Sequence, residues 1–301
     1  MYRPISHGRH EIDLDGRVFR LDREDQNDFL DAQERVQADQ AVQSNVAWDA
    51  ANNQPLAAAP PPAKVDRRPK QTPVKDQDDR GTCVCYASLA CLEAIVKTTQ
   101  NKRVNLSEQY ANWLYMKEEG RNQCDDGIRT TLAARYLSKS GVCGERYWPY
   151  ENLATVRTHC GDQPSAKAAS HAVYGIGAYT LIDRPGLNGP SIANPNYLEA
   201  LLAGGQDIVF GTNVAWGKPD ANGIYDVITD QFGNPVASRG GHAMLIVGYD
   251  RTGPLPFFIV KNSWSTTKGV QGYYYLSYDY VRTYAKYGYV VDALRTDMPT
   301  A

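Results

Sequence analysis

The chain has 301 residues, a formal net charge of -2 and 42% hydrophobic residues. That is apolar material enough for one large domain or two packed halves, and the near-neutral balance removes any electrostatic reason to expect a nucleic-acid partner or an acidic membrane surface. No stretch is apolar enough to span a bilayer and the N-terminus lacks the apolar core of a signal peptide, so the chain reads as soluble, either cytoplasmic or exported by a leaderless route.

Residues 1–63 differ in character from the rest. Ile12-Asp13-Leu14 and Arg17-Val18-Phe19-Arg20-Leu21 flank Asp15-Gly16, which predicts a short hairpin. From Asp22 to about Trp48 the residues are helical at best, with Phe29, Leu30, Val36 and Val46 too sparse to define a core face. Asn52 to Ala63, with Pro60-Pro61-Pro62, is a semi-extended linker, because consecutive prolines fix φ and remove amide donors. The expected organisation is therefore an N-terminal pro- or regulatory segment over 1–63 and a globular domain over 64–301.

Val84 to Val96 is apolar on nearly every face, as a helix buried on all sides requires, and Cys83 stands at its N-terminal end. Further helices are predicted from Ser107 to Lys117, capped by Asn105 or Ser107, and from Thr130 to Ser138. Beyond about residue 170 the period shortens. Val173–Leu181, Ile208–Gly211, Ala243–Tyr249, Phe257–Lys261 and Gly272–Tyr280 read as strands between Gly, Pro, Asn and Asp turns, with one helix at Asn196–Ala203. A helix-rich first half (about 64–170) and a strand-rich second half (about 171–301) predict an α+β protein with a sheet or barrel in the second half. Ligands favour the cleft between two such halves. The tyrosines between Tyr273 and Tyr289 read as strand and rim residues rather than as a platform for bases.

The six cysteines, at 83, 85, 91, 124, 143 and 160, are too few for a disulfide framework of a small secreted domain. Cys83-x-Cys85 has the wrong spacing for a zinc knuckle, and no second pair completes four ligands, so no metal or other cofactor is expected.

A thiol at its ordinary pKa is only a few per cent thiolate at neutral pH, so a cysteine nucleophile needs a neighbour that favours the anion. Cys83 has two candidates: the positive end of its helix, and an imidazole. Of the five histidines, His242 alone opens an apolar strand after a Gly-Gly turn. The run from Ala243 to Tyr249 turns and returns as Phe257–Val260, and a hairpin centred on Thr252 sets His242 beside Asn262, whose amide oxygen can then fix the imidazole.

Val65-Asp66-Arg67-Arg68, Thr72-Pro73-Val74-Lys75-Asp76-Gln77, Gly81-Thr82-Cys83, Leu106-Ser107-Glu108-Gln109, Cys124-Asp125-Asp126-Gly127, Trp148-Pro149-Tyr150, Gly241-His242-Ala243, Val247-Gly248-Tyr249 and Lys261-Asn262-Ser263-Trp264 follow one another in the chain. In that order and over roughly 64–290 they resemble the papain family of cysteine peptidases, in its compact bacterial form. The resemblance implies a papain-like fold, with a helical left subdomain, a β-barrel-like right subdomain and the active site in the cleft between them. It implies Cys83 as nucleophile, His242 as its ion-pair partner and general acid, Asn262 as orienter, and Gln77 with the Cys83 amide as oxyanion hole. Trp264 is expected to shield the Asn262–His242 contact, and Gly127 to pair its backbone with an extended substrate peptide. Register selects Cys83 over Cys85, because Gln77 then lies at the family's spacing upstream and Cys85 falls on a buried helix position.

Several features depart from the family. Val84 replaces an aromatic residue after the nucleophile, Asp126 replaces a glycine, and Arg80 stands where many relatives have a half-cystine; Cys124 with Cys160 is still able to form a disulfide. The separations of His242 and Asn262 from Cys83 exceed the roughly 130–150 residues of the family pattern, with the excess expected around Arg184–Pro195 and Lys218–Pro235. The 1–63 segment does not show the family's long helical propeptide pattern, but inhibition of the enzyme by its own N-terminal segment is the favoured reading. Expected partners are thus peptide or protein substrates and that segment. The alternatives are a catalytically impaired binding module and a Cys-dependent acyltransferase.

Overall fold

The computed structural model describes residues 60–184, 190–238 and 240–295, and upstream of these the backbone of four short strands, Glu11–Leu14 (β1), Arg17–Arg20 (β2), Trp48–Asp49 (β3) and Gln54–Pro55 (β4). β1 pairs antiparallel with β2, Leu14 opposite Arg17, which is the hairpin the Asp-Gly signal predicts. β3 pairs with β4. The Asp15-Gly16 turn, the helical reading between Asp22 and Val46 and much of the linker lie outside the described residues.

The first half of the domain is helical. α1 (Cys83–Gln100) is buried on nearly every face, as its sequence requires. α2 (Glu108–Glu118) starts at Ser107 rather than Asn105, because Ser107 Oγ accepts from the Tyr110 amide at 3.0 Å. α3 (Thr130–Lys139) follows, then the short α4 (Leu153–Val156) and α5 (Ala166–Ser170).

The second half is a mainly antiparallel eight-stranded sheet. Its strands are β5 (Lys64–Asp66), β6 (Ile176–Ile182), β7 (Ile208–Asn213), β8 (Ile224–Tyr225), β9 (Gly241–Asp250), β10 (Phe257–Lys261), β11 (Tyr273–Ser277) and β12 (Ala285–Leu294). The pairing path runs β6-β12-β7-β9-β10-β11-β8, with β5 joined to β9; only β8 pairs parallel, to β11. Two helices complete this half, α6 (Pro195–Ala203) and α7 (Tyr278–Tyr284). The fold is thus α+β, a helical region followed by a sheet.

β9 is the spine: all ten of its residues are buried, so it reads as a continuous apolar run instead of an alternating one. Strand alternation still sorts its side chains between two cores. Ala243, Leu245 and Val247 pack with α1, α2 and α3, whereas Met244 and Ile246 pack with α6 and α7. The two halves are also joined by buried charge. Lys75 Nζ lies 2.9 Å from Glu93 of α1 and 2.6 Å from Glu108 of α2, while Lys261 Nζ of β10 donates to the Thr72 carbonyl at 2.8 Å and Thr72 Oγ1 donates to Glu93 at 2.5 Å. Burial pushes the Lys261 ammonium down to about 8 and the Glu108 carboxyl up to about 7, the latter against the pull of Lys75. A small pocket adjoins this cluster, lined by Lys75, Glu93, Glu108, Ala243, Lys261 and Asn262 among others.

Two expectations about local structure need correction. The strand read over Gly272–Tyr280 stops at Ser277, because Ser277 Oγ accepts from the Tyr280 amide at 2.9 Å and caps α7. The hairpin is not centred on Thr252: Phe257 faces Asp250, and a bulge between Ile259 and Val260 brings Lys261 opposite Leu245. Continuing that register sets Asn262 level with Met244, not His242. Their contact is made by side chains at the frayed end of the hairpin.

The linker is attached at the other end of β9. β5 pairs Lys64, Val65 and Asp66 with Asp250, Tyr249 and Gly248, the Pro62 carbonyl accepts from Tyr249 Oη at 2.7 Å, and the Pro61 carbonyl accepts from Arg251 Nη2 at 2.7 Å. By strand rise the outer end of that anchor, at Asp250, is about 27 Å from His242. The β4 backbone lies against α6. Among the described residues no helix is long and apolar enough to cross a membrane.

Candidate active site

Cys83 is the first residue of α1 and almost fully buried. Thr82, the N-cap residue, makes no side-chain cap. Its hydroxyl instead lies 2.7 Å from Tyr150 Oη, which spends its own proton on the Gln77 carbonyl at 2.8 Å. Thr82 must therefore donate, and its hydroxyl does not cap the first turn of α1. Cys83 Sγ accepts from the Ala243 amide at 3.3 Å, which brings the thiol to the residue after His242 and joins the helical half to β9.

His242 is buried, and its Nε2 lies 2.8 Å from Asn262 Oδ1. The same oxygen accepts from the Ser263 amide at 2.8 Å, which identifies it as the oxygen of the carboxamide. An oxygen only accepts, so Nε2 carries the proton and Nδ1 keeps its lone pair in the neutral ring. Nδ1 is buried with no hydrogen-bond partner among the described residues. Burial pushes the imidazole down to about 4, with the Asn262 bond working the other way. Such a ring takes up a proton only if an anion forms beside it, and the neighbouring thiol is the group able to become one.

Trp264 covers this pair. Its ring stacks on His242 with centroids 4.5 Å apart, and it is wholly buried. Trp216, which the sequence reading did not single out, meets the His242 ring edge-on at 6.2 Å and the Trp264 ring at 5.2 Å. It opens the long segment between β7 and β9, and that position before an expected insertion was the available signal. The same segment carries β8 and an exposed Phe232.

Gln77 has no exposed surface and is held at both ends of its carboxamide. Oε1 accepts from Ser263 Oγ at 2.5 Å, and Nε2 donates to the Arg80 carbonyl at 2.7 Å, which leaves one N–H. Ser263 was missed as a site residue although it lies between Asn262 and Trp264. Gly127, at φ +87°, donates its amide to the Gly81 carbonyl at 3.0 Å, and its carbonyl accepts from Arg121 Nη1 at 2.8 Å. Cys83, His242, Asn262, Gln77 and Trp264 thus meet at one place, and Gly127 is tied to the loop that precedes the nucleophile. Cys85 is a buried thiol on α1.

The unfamiliar Arg80 and Asp126 are partners. Arg80 Nη2 lies 3.0 Å from Asp126 Oδ1, and the other Asp126 oxygen accepts from the Gly81 amide at 3.2 Å. The remaining Arg80 donors reach Gln109 Oε1 and the Glu151 and Gln123 carbonyls, and the guanidinium lies over the Tyr150 ring. Cys124 forms a disulfide with Cys160. Cys83, Cys85, Cys91 and Cys143 are not in disulfides, and burial pushes the Cys91 and Cys143 thiols up, Cys143 to about 11.

Comparison with known proteins bears on the family and the fold. The family model of papain family cysteine proteases matches residues 61–288. The viral cathepsin of Cydia pomonella granulosis virus is 28% identical over 220 residues, which is 72% of this chain and 58% of that protein. The chain therefore spans less than three fifths of the length of that relative. Among solved structures, xylellain from Xylella fastidiosa is similar at 28% identity and a TM-score of 0.63, covering 78% of this chain and 87% of that one. The ragweed pollen cysteine protease Amb a 11, in its proform, shares the fold at 24% identity and a TM-score of 0.58, covering 78% of this chain and 67% of the other. With a site of this composition, and a family match over most of its length, the chain belongs to the papain family of cysteine proteases.

Proposed function

We propose that the protein is a cysteine peptidase that hydrolyses peptide bonds through an acyl-enzyme on Cys83. The observation that carries this reading is the imidazole of His242, anchored through Nε2 on Asn262 while Nδ1 is unbonded, beside an amide that donates to the Cys83 sulfur. Proton transfer from thiol to Nδ1 gives a thiolate–imidazolium pair at the positive end of α1. The thiolate adds to the scissile carbonyl, and the resulting oxyanion receives the remaining Gln77 N–H and the Cys83 amide. The imidazolium gives its proton to the leaving amine, the C–N bond breaks, and a thioester remains. Water then adds to the thioester with Nδ1 as base, releasing the acid and restoring the thiol. Trp264 and Trp216 keep water off the His242–Asn262 bond, and Gly127 lies on the edge that an extended peptide would join.

Labelling by a thiol-directed epoxide or peptidyl inhibitor tests the assignment. It is expected to disappear in Cys83→Ala and persist in Cys85→Ala; labelling that survives the first substitution overturns it. Labelling at Cys83 without cleavage of any peptide would favour the binding-module alternative, and glutamine–amine transfer would favour the acyltransferase.

We further propose that the N-terminal segment inhibits the enzyme. Support comes from the ragweed fold relative, which is a proform, and from the fixed exit of the linker at the end of β9 remote from His242. The segment from Met1 to Ala59 has ample length to return over about 27 Å. The boundary between inhibitor and catalytic domain is placed at the prolines before Lys64.

A further inference from the structure

We infer that Arg121 selects substrates with an acidic side chain close to the scissile bond, an inference that rests on the peptidase reading and on Gly127 as the substrate-pairing glycine. Arg121 follows the end of α2, where its own amide donates to the Met116 carbonyl at 2.7 Å and fixes the start of its side chain. From there the guanidinium spans two successive carbonyls, Nη1 to Gly127 at 2.8 Å and Nη2 to Asp126 at 2.9 Å. Both backbone groups of Gly127 are therefore engaged already: its amide donates to Gly81 and its carbonyl accepts from Arg121.

The two engagements differ in kind. The Gly127–Gly81 bond joins backbone to backbone beside the nucleophile loop, whereas the Arg121 contacts are exposed and made by one flexible side chain. A strand arriving at this edge exchanges the second far more readily. Arg121 also makes no ion pair among the described residues, although carboxylates lie close in sequence. Asp126 is held by Arg80 and the Gly81 amide, and Asp125 accepts from the Asn122 amide. An exposed guanidinium resting on neutral carbonyls gains by moving to a carboxylate, because charge-assisted bidentate pairing is stronger than bonds to neutral acceptors. A substrate glutamate or aspartate thus draws Arg121 off Gly127, freeing that carbonyl for a substrate amide. A substrate without an acid must uncover the carbonyl without that compensation.

The experiment is cleavage of a peptide library by the full chain, with Glu, Gln or Lys placed at each of the three positions on either side of the scissile bond. Ratios of kcat/KM are read, because a ratio between peptides does not depend on how much enzyme the N-terminal segment occupies. Glu is expected to exceed Gln by about tenfold at one or more positions on one side only. Arg121→Gln is expected to bring that ratio within about twofold, and Arg121→Glu to favour Lys at the same position. A wild-type ratio near one, or a preference unchanged in Arg121→Gln, overturns the inference and leaves the peptidase reading intact. No cleavage of any member together with no epoxide labelling of Cys83 overturns the peptidase reading, and this inference with it.

Discussion

Arg80, without exposed surface, is paired through Nη2 with Asp126 at 3.0 Å across 46 residues of chain. Each accounts for the other: a largely buried ion pair ties the loop before Cys83 to the loop of Gly127. Removing one partner leaves a buried charge uncompensated, which costs about 3–5 kcal/mol. Asp126→Asn is expected to keep the Gly81 contact but raise KM for peptides more than it lowers kcat, and Arg80→Met to lower the urea midpoint outright. Equal KM in wild type and Asp126→Asn would show that the ion pair does not position the substrate edge.

The Cys124–Cys160 disulfide works on the same loop through the unfolded chain. It closes a separation of 36 residues, for which the chain-entropy estimate is about 4 kcal/mol. The Cys124→Ser/Cys160→Ser double variant is expected to lose thermal stability while KM stays near the wild-type value, since Arg80 still holds Asp126. Chemical denaturation and peptide kinetics on the same preparation separate the two effects.

His242 makes stability depend on pH. Its pKa of about 4 in the folded protein lies below the usual 6.5, so between those values the unfolded chain binds more protons. Its contribution is complete above about 6.5 and is lost as pH falls toward 4, with an upper bound of about 3 kcal/mol. The measurement is the urea midpoint from pH 4 to 7 in a Cys83→Ala background, which removes the thiolate. Cys83→Ala/His242→Phe is expected to flatten the profile, and an unchanged slope would assign the dependence to other groups.

Gln77→Ala is expected to lower kcat by about 10²–10³ with little change in KM, as for removal of one oxyanion donor. Ser263→Ala frees the Gln77 carboxamide at its oxygen end and is expected to give a smaller loss of the same kind. A rise in KM without loss of kcat in either variant would place Gln77 in substrate binding instead.

Deleting residues 1–59, which leaves the β5 anchor in place, is expected to raise kcat/KM on a short peptide. Addition of the 1–59 peptide in trans is expected to lower it again. Equal activity with and without the segment would mean that it does not cover the cleft.

Much of this molecule was legible in its sequence because strong local patterns carried it. The all-round apolarity of α1, the apolar run of β9 and the ordered fragments around Cys83, His242 and Asn262 needed no tertiary knowledge. What escaped depended on contacts between distant segments. The Arg80–Asp126 pair looked like two unrelated departures until the loops were side by side. The bulge near Ile259 moved the hairpin register off the symmetric pairing, and a single serine capping α7 was hidden in a tyrosine-rich stretch whose alternation suggested a longer strand.

Ala243 and Cys83 are 160 residues apart and Gln77 and Ser263 are 186 apart, yet both contacts belong to the candidate site. Synthesis from the N-terminus delivers the thiol and its helix well before the imidazole, the orienting amide or the hydroxyl that fixes Gln77. A nascent chain that has folded only its helical half therefore holds the thiol without its later neighbours, and the proposed site is assembled only with closure of the β9–β10 hairpin.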